Sequence, residues 1–326
     1  MLTNKPYILV IRQLGGIGDC LSLSTVARGL REKYPNHLIK LVTSNIYLAG
    51  SLLDIAEHNP FWSEIIVIEP YEMTTENTKR VWGKWFSQNT PNIEDELLWK
   101  KADQAICLNT ACVEYEWPAL ETPEGITKPR YQIWCEAAGV VPSSYSPIYE
   151  ITKQEMKEAK NYAKRHWKNK TVIGVGLAAY DKKRAWGIDK LTQLCNQLYE
   201  RGLHPVTIDP TCTIPGIEGL INKRIRYLMP LIAQMQAFIS VDTGTLHMAG
   251  TVGTPVVGIF GPTDFKMRTA NYYGSFIDSR KIISCAPCWY KYPCLQDNFE
   301  YKPYECLNRV SINAVIEETL RLINMV

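Results

Sequence analysis

The sequence lacks features that mark several large classes of protein. Its 326 residues contain no run of about 18 consecutive apolar residues, so we expect no membrane-spanning helix. The first residues lack the apolar core of a signal peptide, which favours a cytoplasmic protein. The formal net charge of +3 is too small to indicate a nucleic-acid-binding protein. Peripheral attachment to a membrane is compatible with the nine Trp, the eighteen Tyr and the plentiful Lys and Arg.

Cysteine, by contrast, is plentiful, with ten residues. Six are scattered, and in a reducing compartment we expect them to be small buried side chains or inert thiols. The other four form the pattern C-x2-C-x5-C-x11-C and are Cys285, Cys288, Cys294 and Cys306. This spacing suits a closed structural site for zinc or iron that ties down the loop 285–306. A disulfide pair and unliganded thiols are the alternatives.

Short apolar segments alternate with segments of helical periodicity along most of the chain. This alternation predicts an α/β fold with parallel sheets covered on both faces. The alternation starts twice, which predicts domains at 1–150 and 151–310, followed by an amphipathic helix at 311–326. The strands that we expect are 7–12, 38–43, 65–68, 102–108, 171–176, 204–208, 224–227, 236–240 and 256–260.

A glycine-rich turn, Gly15-Gly16-Ile17-Gly18-Asp19, follows the first expected strand. It departs from the dinucleotide-binding fingerprint because the third glycine is missing at the required spacing. Asp19 stands where a phosphate would bind, and a carboxylate there would repel a pyrophosphate. Asp19 therefore suits a helix cap or a general base that faces a cleft. Taken alone, the turn favours the cap, and the second half of the chain shifts the preference to the base.

Three consecutive cations, Lys182, Lys183 and Arg184, follow the first strand of the second half. Cations at the carboxyl edge of a sheet suit a diphosphate, whose negative charge grows as it leaves. For any one of these cations, the alternative is that it is a solvated residue of an ordinary turn and binds no diphosphate.

The stretch from Ser240 to Asp264 reads as strand end, polar turn, short helix, buried strand and polar turn. Asp242, Thr243 and Gly244 stand where the helix would begin, and a helix N-terminus binds anions such as phosphates. His247 lies about one turn into this helix. It would contact phosphate or sugar, or it would pack as an ordinary core histidine.

Together, Gly18-Asp19, the run Arg184-Ala-Trp-Gly187 and the 242–264 stretch resemble glycosyltransferase family 9, the heptosyltransferases of lipopolysaccharide core synthesis and their relatives. The resemblance implies the GT-B architecture, in which two Rossmann-like doubly wound domains face a central cleft. Domain 1–150 would then bind the acceptor and domain 151–310 the nucleotide sugar. The last helix, 311–326, would cross back to the first domain.

The resemblance also implies an inverting transfer of a sugar, usually heptose from ADP-heptose, to a hydroxyl of lipopolysaccharide, protein or another glycoconjugate. Asp19 would be the general base, and Lys183 or Arg184 would hold the diphosphate. The other residues implied to bind the sugar nucleotide are Asp242, Thr243, Gly244, Thr245, His247 and Met229. No catalytic metal is expected. The four cysteines resemble those of iron-binding relatives that glycosylate proteins, which counts against a lipopolysaccharide acceptor.

Two other functions are compatible with the sequence. One is a GT-B-fold sugar-nucleotide epimerase, which would need further acid and base residues around the nucleotide sugar. The other is a non-catalytic module that binds a sugar nucleotide or a nucleic acid, against which Asp19 and the small net charge argue. A homo-oligomer is also compatible with the sequence.

Overall fold

The computed structural model divides into two compact units, Met1–Glu150 and Ile151–Val326. The structure describes residues 5–12, 15–44, 49–68, 101–122, 124–177, 182–289 and 304–324. Each unit is a parallel α/β layer with its own sheet. Within these described ranges, none of the helices combines the length and apolarity needed to cross a bilayer.

In the first unit, the described strands form a parallel sheet in the order β3-β2-β1-β4. The elements are β1 (Tyr7–Ile11), α1 (Ile17–Lys33), β2 (Leu38–Ser44), α2 (Ala49–Ala56), β3 (Glu64–Ile68), β4 (Gln104–Cys107), α3 (Ala111–Leu120) and α4 (Arg130–Ala137). The continuous apolar character of β1 fits its position between β2 and β4. Leu9 and Val10 at its centre are fully buried.

Helix α1 presents the apolar stripe that its sequence predicts. Leu21, Val26 and Leu30 are fully buried, and Leu23 is 1% exposed. The helix begins one residue after Gly16, so Gly18 lies inside its first turn. The prediction of a glycine loop containing Gly18 is therefore wrong, because the helix starts earlier than the glycine spacing suggests.

The second unit contains a six-stranded parallel sheet in the order β10-β9-β8-β5-β6-β7. Its elements are α5 (Lys153–His166), β5 (Val172–Gly176), α6 (Ile188–Glu200), β6 (His204–Asp209), β7 (Glu218–Ile221), α7 (Ile225–Ile232), β8 (Ala237–Val241), α8 (Gly244–Thr251), β9 (Val256–Phe260), α9 (Phe265–Thr269), β10 (Gly274–Asp278), α10 (Glu305–Asn308) and α11 (Ile312–Asn324). The buried strands β8 and β9 are neighbours, so their carboxyl ends lie side by side.

One predicted strand is wrong. The segment 224–227 belongs to the start of helix α7, because Ile225, Leu228, Met229 and Ile232 follow the spacing of one helical face and all four are buried. The edge strand β7 was not predicted, and its sequence Glu-Gly-Leu-Ile carries little apolar alternation.

The last helix, α11, packs within the second unit against α6 and the strands β8, β9 and β10. Val315, Ile316 and Leu322 form its buried face. The contacts described for α11 thus explain its amphipathic pattern inside this unit, and its return to the first domain stays a prediction.

Candidate active-site residues

Asp19 occupies the first turn of α1, the helix that follows the inner strand β1 of the first unit. Its side chain is 20% exposed. Arg130 Nη1 donates to both carboxylate oxygens, at 3.1 Å and 3.3 Å. Arg12 Nη2 lies 3.9 Å from Asp19 Oδ2. The carboxylate is thus held in one orientation and still reaches the surface, as a base for an external hydroxyl must.

Arg130 is shared between two carboxylates. Its Nε and Nη2 donate to the two oxygens of Glu116, at 2.7 Å and 2.8 Å, in the paired geometry that a guanidinium and a carboxylate favour. Burial acts to lower the pKa of Arg130, but the charges of Asp19 and Glu116 outweigh it and raise that pKa well above its ordinary value. Arg130 therefore remains a cation that fixes Asp19 from one side.

Arg12 is a buried residue that also stabilises the surroundings of Asp19. The residue is 6% exposed, and its Nη1 donates to the carbonyl oxygens of Leu108 and Asn109, each at 3.0 Å. Its guanidinium also lies over the ring of Trp134, 5.2 Å from the centroid. Arg12 thereby ties the end of β1 to the chain that leaves β4, beside Asp19.

The two glycines before α1 differ in what their positions require. A Cβ at Gly15 would lie 3.1 Å from Asp19 Cβ and 3.4 Å from Arg12 Nη2, so a side chain there would crowd both residues. A Cβ at Gly16 would meet no atom within 4 Å. Gly15 is therefore the glycine on which the position of Asp19 depends.

Asp242 lies between β8 and α8, and its side chain is 5% exposed. Thr263 Oγ1 donates to its Oδ2 at 2.8 Å. Arg184 Nη1 lies 3.7 Å and Arg268 Nε 3.9 Å from the same oxygen. His247 Nε2 lies 3.6 Å from Oδ1. The carboxyl ends of β8 and β9 therefore carry a buried anion with several cationic neighbours.

This neighbourhood keeps Asp242 ionised. Burial acts to raise the pKa of Asp242, because water no longer solvates the charge. His247, Arg268 and Arg184 outweigh burial and lower that pKa far below its ordinary value. Asp242 is therefore a fixed negative charge that orients cations, and it is unsuited to exchange protons near neutral pH.

Arg184 and Lys183 lie together in a short 3-10 helix but differ in exposure and contacts. Lys183 is exposed, whereas Arg184 Nη1 donates to the backbone oxygen of Asp242 at 2.8 Å. The Nε atom of Arg184 is buried and has no hydrogen-bond partner among the residues that the structure describes. Trp186, which is 1% exposed, anchors the segment to the core. These contacts favour Arg184 over Lys183 as the cation for a diphosphate.

The N-terminus of α8 lies beside Asp242. Thr243 is the N-cap residue, and Gly244 and Thr245 form the start of the helix, where the first N–H groups lack partners within the helix. The hydroxyls of Ser240, Thr243 and Thr245 lie 3.0–3.1 Å apart. A Cβ at Gly176 would lie 2.4 Å from Thr245 Oγ1, so the strand exit must be glycine to leave this cluster its room.

Two of the predicted sugar-nucleotide ligands are less accessible. His247 is partly buried, with Nδ1 3.1 Å from the hydroxyl of Tyr272, so it bridges Asp242 and Tyr272. The side chain of Met229 is fully buried in α7, which does not favour a contact between that side chain and a ligand, and the role of Met229 in binding the sugar nucleotide stays a prediction. The apolar face of α7 needs Met229 for packing.

The predicted four-cysteine site is described in part. Cys285 is exposed, Cys288 is half-buried and Cys306 is buried on α10, while Cys294 lies outside the described residues. Within the described ranges, no three potential metal ligands lie close enough together to hold an ion. The cysteines that the structure describes therefore do not form a metal site by themselves, and the four-cysteine site stays a prediction.

Several charged or polar residues in these two neighbourhoods, Arg12 among them, were not predicted as site residues from the sequence. Glu116 and Arg130 are distant from Asp19 along the chain, so no local pattern points to them. Thr263 and Arg268 follow the second strand exit, where the polar turn was the available signal. They reach Asp242 because β8 and β9 are neighbours.

Part of this chain is similar in sequence to known proteins. Residues 222–300 match the model of glycosyltransferase family 9 (heptosyltransferase). The lipooligosaccharide heptosyltransferase 2 of Campylobacter jejuni is 28% identical over 133 residues, which are 40% of this chain. The chain spans 37% of the length of that relative. The resemblance to glycosyltransferase family 9 is confirmed. The family 9 region contains Asp242, Thr263 and Arg268.

Solved structures extend the likeness to almost the whole chain. A family 9 glycosyltransferase from Veillonella parvula superimposes with a TM-score of 0.70 at 17% identity, covering 99% of this chain and 100% of the other. The ADP-heptose lipopolysaccharide heptosyltransferase II of E. coli gives a TM-score of 0.65 at 15% identity, covering 98% and 99%. These similarities confirm the α/β fold of the GT-B class with two Rossmann-like units.

Proposed function

We propose that this chain is an inverting glycosyltransferase that moves a sugar from a nucleotide donor to a hydroxyl acceptor. The observation that carries the proposal is the convergence of Arg184, Arg268 and the N-terminus of α8 on the buried Asp242. Such a cluster suits a diphosphate, and all of it except Arg184 lies inside the region that matches family 9. Asp19 supports the second half of the proposal, because it is an oriented and accessible carboxylate.

In the proposed reaction, the oxygen of the acceptor hydroxyl attacks the anomeric carbon while Asp19 accepts the proton of that hydroxyl. The bond between that carbon and the diphosphate oxygen breaks, and the nucleoside diphosphate leaves with the electron pair. Arg184 and the backbone N–H groups of Thr243, Gly244 and Thr245 stabilise the charge on the leaving diphosphate. One displacement inverts the configuration of the anomeric carbon. Because fixed protein groups supply this stabilisation, the scheme requires no divalent metal.

The proposed sugar nucleotide is ADP-heptose, and the proposed acceptor is a lipopolysaccharide core. The names of the Campylobacter relative and of the similar E. coli structure support both choices. A protein acceptor is the alternative, which the cysteine-rich segment supports through its spacing. We place the reaction in the cytoplasm, with the acceptor presented at the inner membrane when it is lipid-linked.

A binding panel followed by a transfer assay tests this function. Purified protein is titrated with ADP-heptose, ADP-glucose, UDP-GlcNAc, GDP-mannose and dTDP-rhamnose while its thermal midpoint is recorded. A ligand that binds the native state alone raises the midpoint, by an amount that grows with its concentration over Kd. We expect a selective rise with ADP-heptose. A folded sample whose midpoint responds to none of the sugar nucleotides would contradict the proposal.

The transfer assay separates the three functional classes. The binding sugar nucleotide is incubated with a heptose-deficient lipopolysaccharide, and the product linkage is determined by NMR. A transferase releases nucleoside diphosphate in step with a product of inverted configuration. An epimerase would convert the sugar nucleotide without any acceptor, and a non-catalytic module would bind it unchanged.

We also propose that Cys285, Cys288, Cys294 and Cys306 hold a structural zinc or iron ion. Their spacing supports this proposal. Elemental analysis of the purified protein should give about one equivalent of metal, and the Cys288→Ser variant should lose it. Full metal content in that variant, or none in the wild type, would contradict the proposal.

A further inference from the structure

Arg268 has a contact that its role as a partner of Asp242 does not require. It lies on α9, and its Nε is 3.9 Å from Asp242 Oδ2. On its other side, the guanidinium carbon lies 4.9 Å from the ring centroid of Trp289. The Arg268 side chain is 15% exposed. An arginine held between a carboxylate and an indole ring has a fixed plane and a fixed direction.

Trp289 is itself anchored at the exit of β9. Its backbone N–H donates to the carbonyl oxygen of Pro262 at 2.8 Å. Pro262 precedes Thr263, whose hydroxyl binds Asp242. The start of the cysteine-rich loop is therefore attached to the same strand exit that carries the site, and Trp289 directly follows Cys288.

Arg184 and Arg268 lie where both could contact an anion bound beside Asp242. Arg184 Nη1 and Arg268 Nε lie 3.7 Å and 3.9 Å from the same carboxylate oxygen, farther than a hydrogen bond. Asp242 directly precedes Thr243, the N-cap residue of α8. A diphosphate bound at that helix N-terminus would therefore lie close to both guanidiniums.

We propose that Arg268 is a second cation for the diphosphate of the sugar nucleotide, and that Trp289 is the positioning residue that holds it. This inference rests on the proposed function and names a further residue that binds the diphosphate at the same site. It also gives the cysteine-rich loop a role, because the loop supplies the ring that orients Arg268. Stacking restricts the Arg268 side chain before the ligand arrives, so less conformational entropy is lost on binding.

The test compares ADP with AMP, which lacks the second phosphate of the diphosphate that the two arginines would bind. Calorimetric titration with ADP and AMP is performed on wild type and on Arg268→Gln, Trp289→Ala and Trp289→Phe. Lys266→Ala is the matched control, because Lys266 is an exposed cation on the same short helix. The thermal midpoint of each unliganded variant reports any purely structural effect.

We expect Arg268→Gln to weaken ADP binding about 10- to 100-fold, the loss of one charge-assisted contact, while AMP binding changes less than threefold. Trp289→Ala should weaken ADP binding about 3- to 10-fold, and Trp289→Phe should restore most of it, because a smaller ring keeps the stacking surface. Lys266→Ala should bind both nucleotides as the wild type does.

Equal losses for ADP and AMP, or a lower thermal midpoint with an unchanged ratio of the two affinities, would overturn the inference and leave Arg268 as a structural partner of Asp242. The wild type separates this failure from that of the proposed function. If it binds ADP but Arg268→Gln binds ADP equally well, the inference alone fails. If it binds neither ADP nor UDP, GDP or dTDP, the proposed function fails as well.

Discussion

The first turns after two buried strands of this molecule each carry an aspartate between two arginines, yet the surroundings of the two carboxylates differ. Asp19 follows β1, and its side chain is 20% exposed. Asp242 follows β8, and its side chain is 5% exposed. The first carboxylate can meet a substrate, whereas the second is enclosed by its own partners. Burial thus separates an aspartate suited to reaction from one suited to organise neighbouring charges.

The sharing of arginines gives the second difference. Over the described contacts, Arg130 is divided between two carboxylates, Asp19 and Glu116. At the other site, Arg184 and Arg268 both lie near one carboxylate, Asp242. Asp242 also directly precedes the N-cap residue of α8, so the second neighbourhood suits the anionic diphosphate of the proposed transfer.

Neutralising Asp19 should reduce sugar transfer strongly while leaving sugar-nucleotide binding intact. Asp19→Asn keeps the size and the hydrogen-bonding oxygen but removes the base, so the rate of sugar transfer should fall about 10²- to 10⁴-fold. Sugar-nucleotide affinity, measured by calorimetry, should stay within twofold of wild type. Asp189→Asn is the control, because Asp189 is an exposed acid in the first turn of α6. Wild-type transfer by Asp19→Asn would refute the base assignment.

Asp242→Asn should mainly lower the stability of the folded protein. Neutralising a buried carboxylate leaves Arg184 and Arg268 close together without their shared anion, at a cost of about 3 kcal/mol in the free energy of unfolding. Urea denaturation followed by circular dichroism measures this loss. Asp19→Asn should lose less than about 1 kcal/mol, because its carboxylate is partly solvated. Equal destabilisation by the two substitutions would show that burial does not separate the sites.

The sequence predicted the fold and the backbone positions of both sites well, because these depend on local patterns. Apolar runs such as 7–12 and 256–260 mark buried strands whatever surrounds them. The polar turns after them mark the carboxyl edge of a parallel sheet. The error at 224–227 arose where a short apolar segment fits a strand and a helix equally well.

The side-chain partners could not be predicted, because they come from distant parts of the chain. Arg130 lies 111 residues after Asp19, and no local spacing connects them. Arg268 reaches Asp242 through the pairing of two neighbouring strands, which a single sequence does not specify. The burial of Met229 likewise depends on which face of α7 packs, and the resemblance to a family did not reveal it.

Acid should lower the stability that the ionised Asp242 contributes. The folded-state pKa of Asp242 lies below its ordinary value of 3.8, so the carboxylate contributes stability that is present above about pH 4 and is lost as the pH falls through the lowered pKa. Between pH 5 and pH 3 the wild type should therefore lose about 1 kcal/mol more than Asp242→Asn. Urea titrations at several pH values measure this difference. Parallel curves for the two proteins would contradict the lowered pKa of Asp242.

A substitution of Glu116 changes the charge near Asp19 while leaving Asp19 itself in place. Glu116→Gln keeps an oxygen for Arg130 but removes one negative charge, so Arg130 should pair more strongly with Asp19 and make it a poorer proton acceptor. We expect kcat for sugar transfer to fall about 3- to 10-fold with unchanged sugar-nucleotide affinity, which steady-state kinetics and calorimetry measure. Glu114→Gln, an exposed acid on the same helix, is the matched control. An unchanged kcat in Glu116→Gln would mean that the second carboxylate at this site serves the packing of α3 and α4 alone.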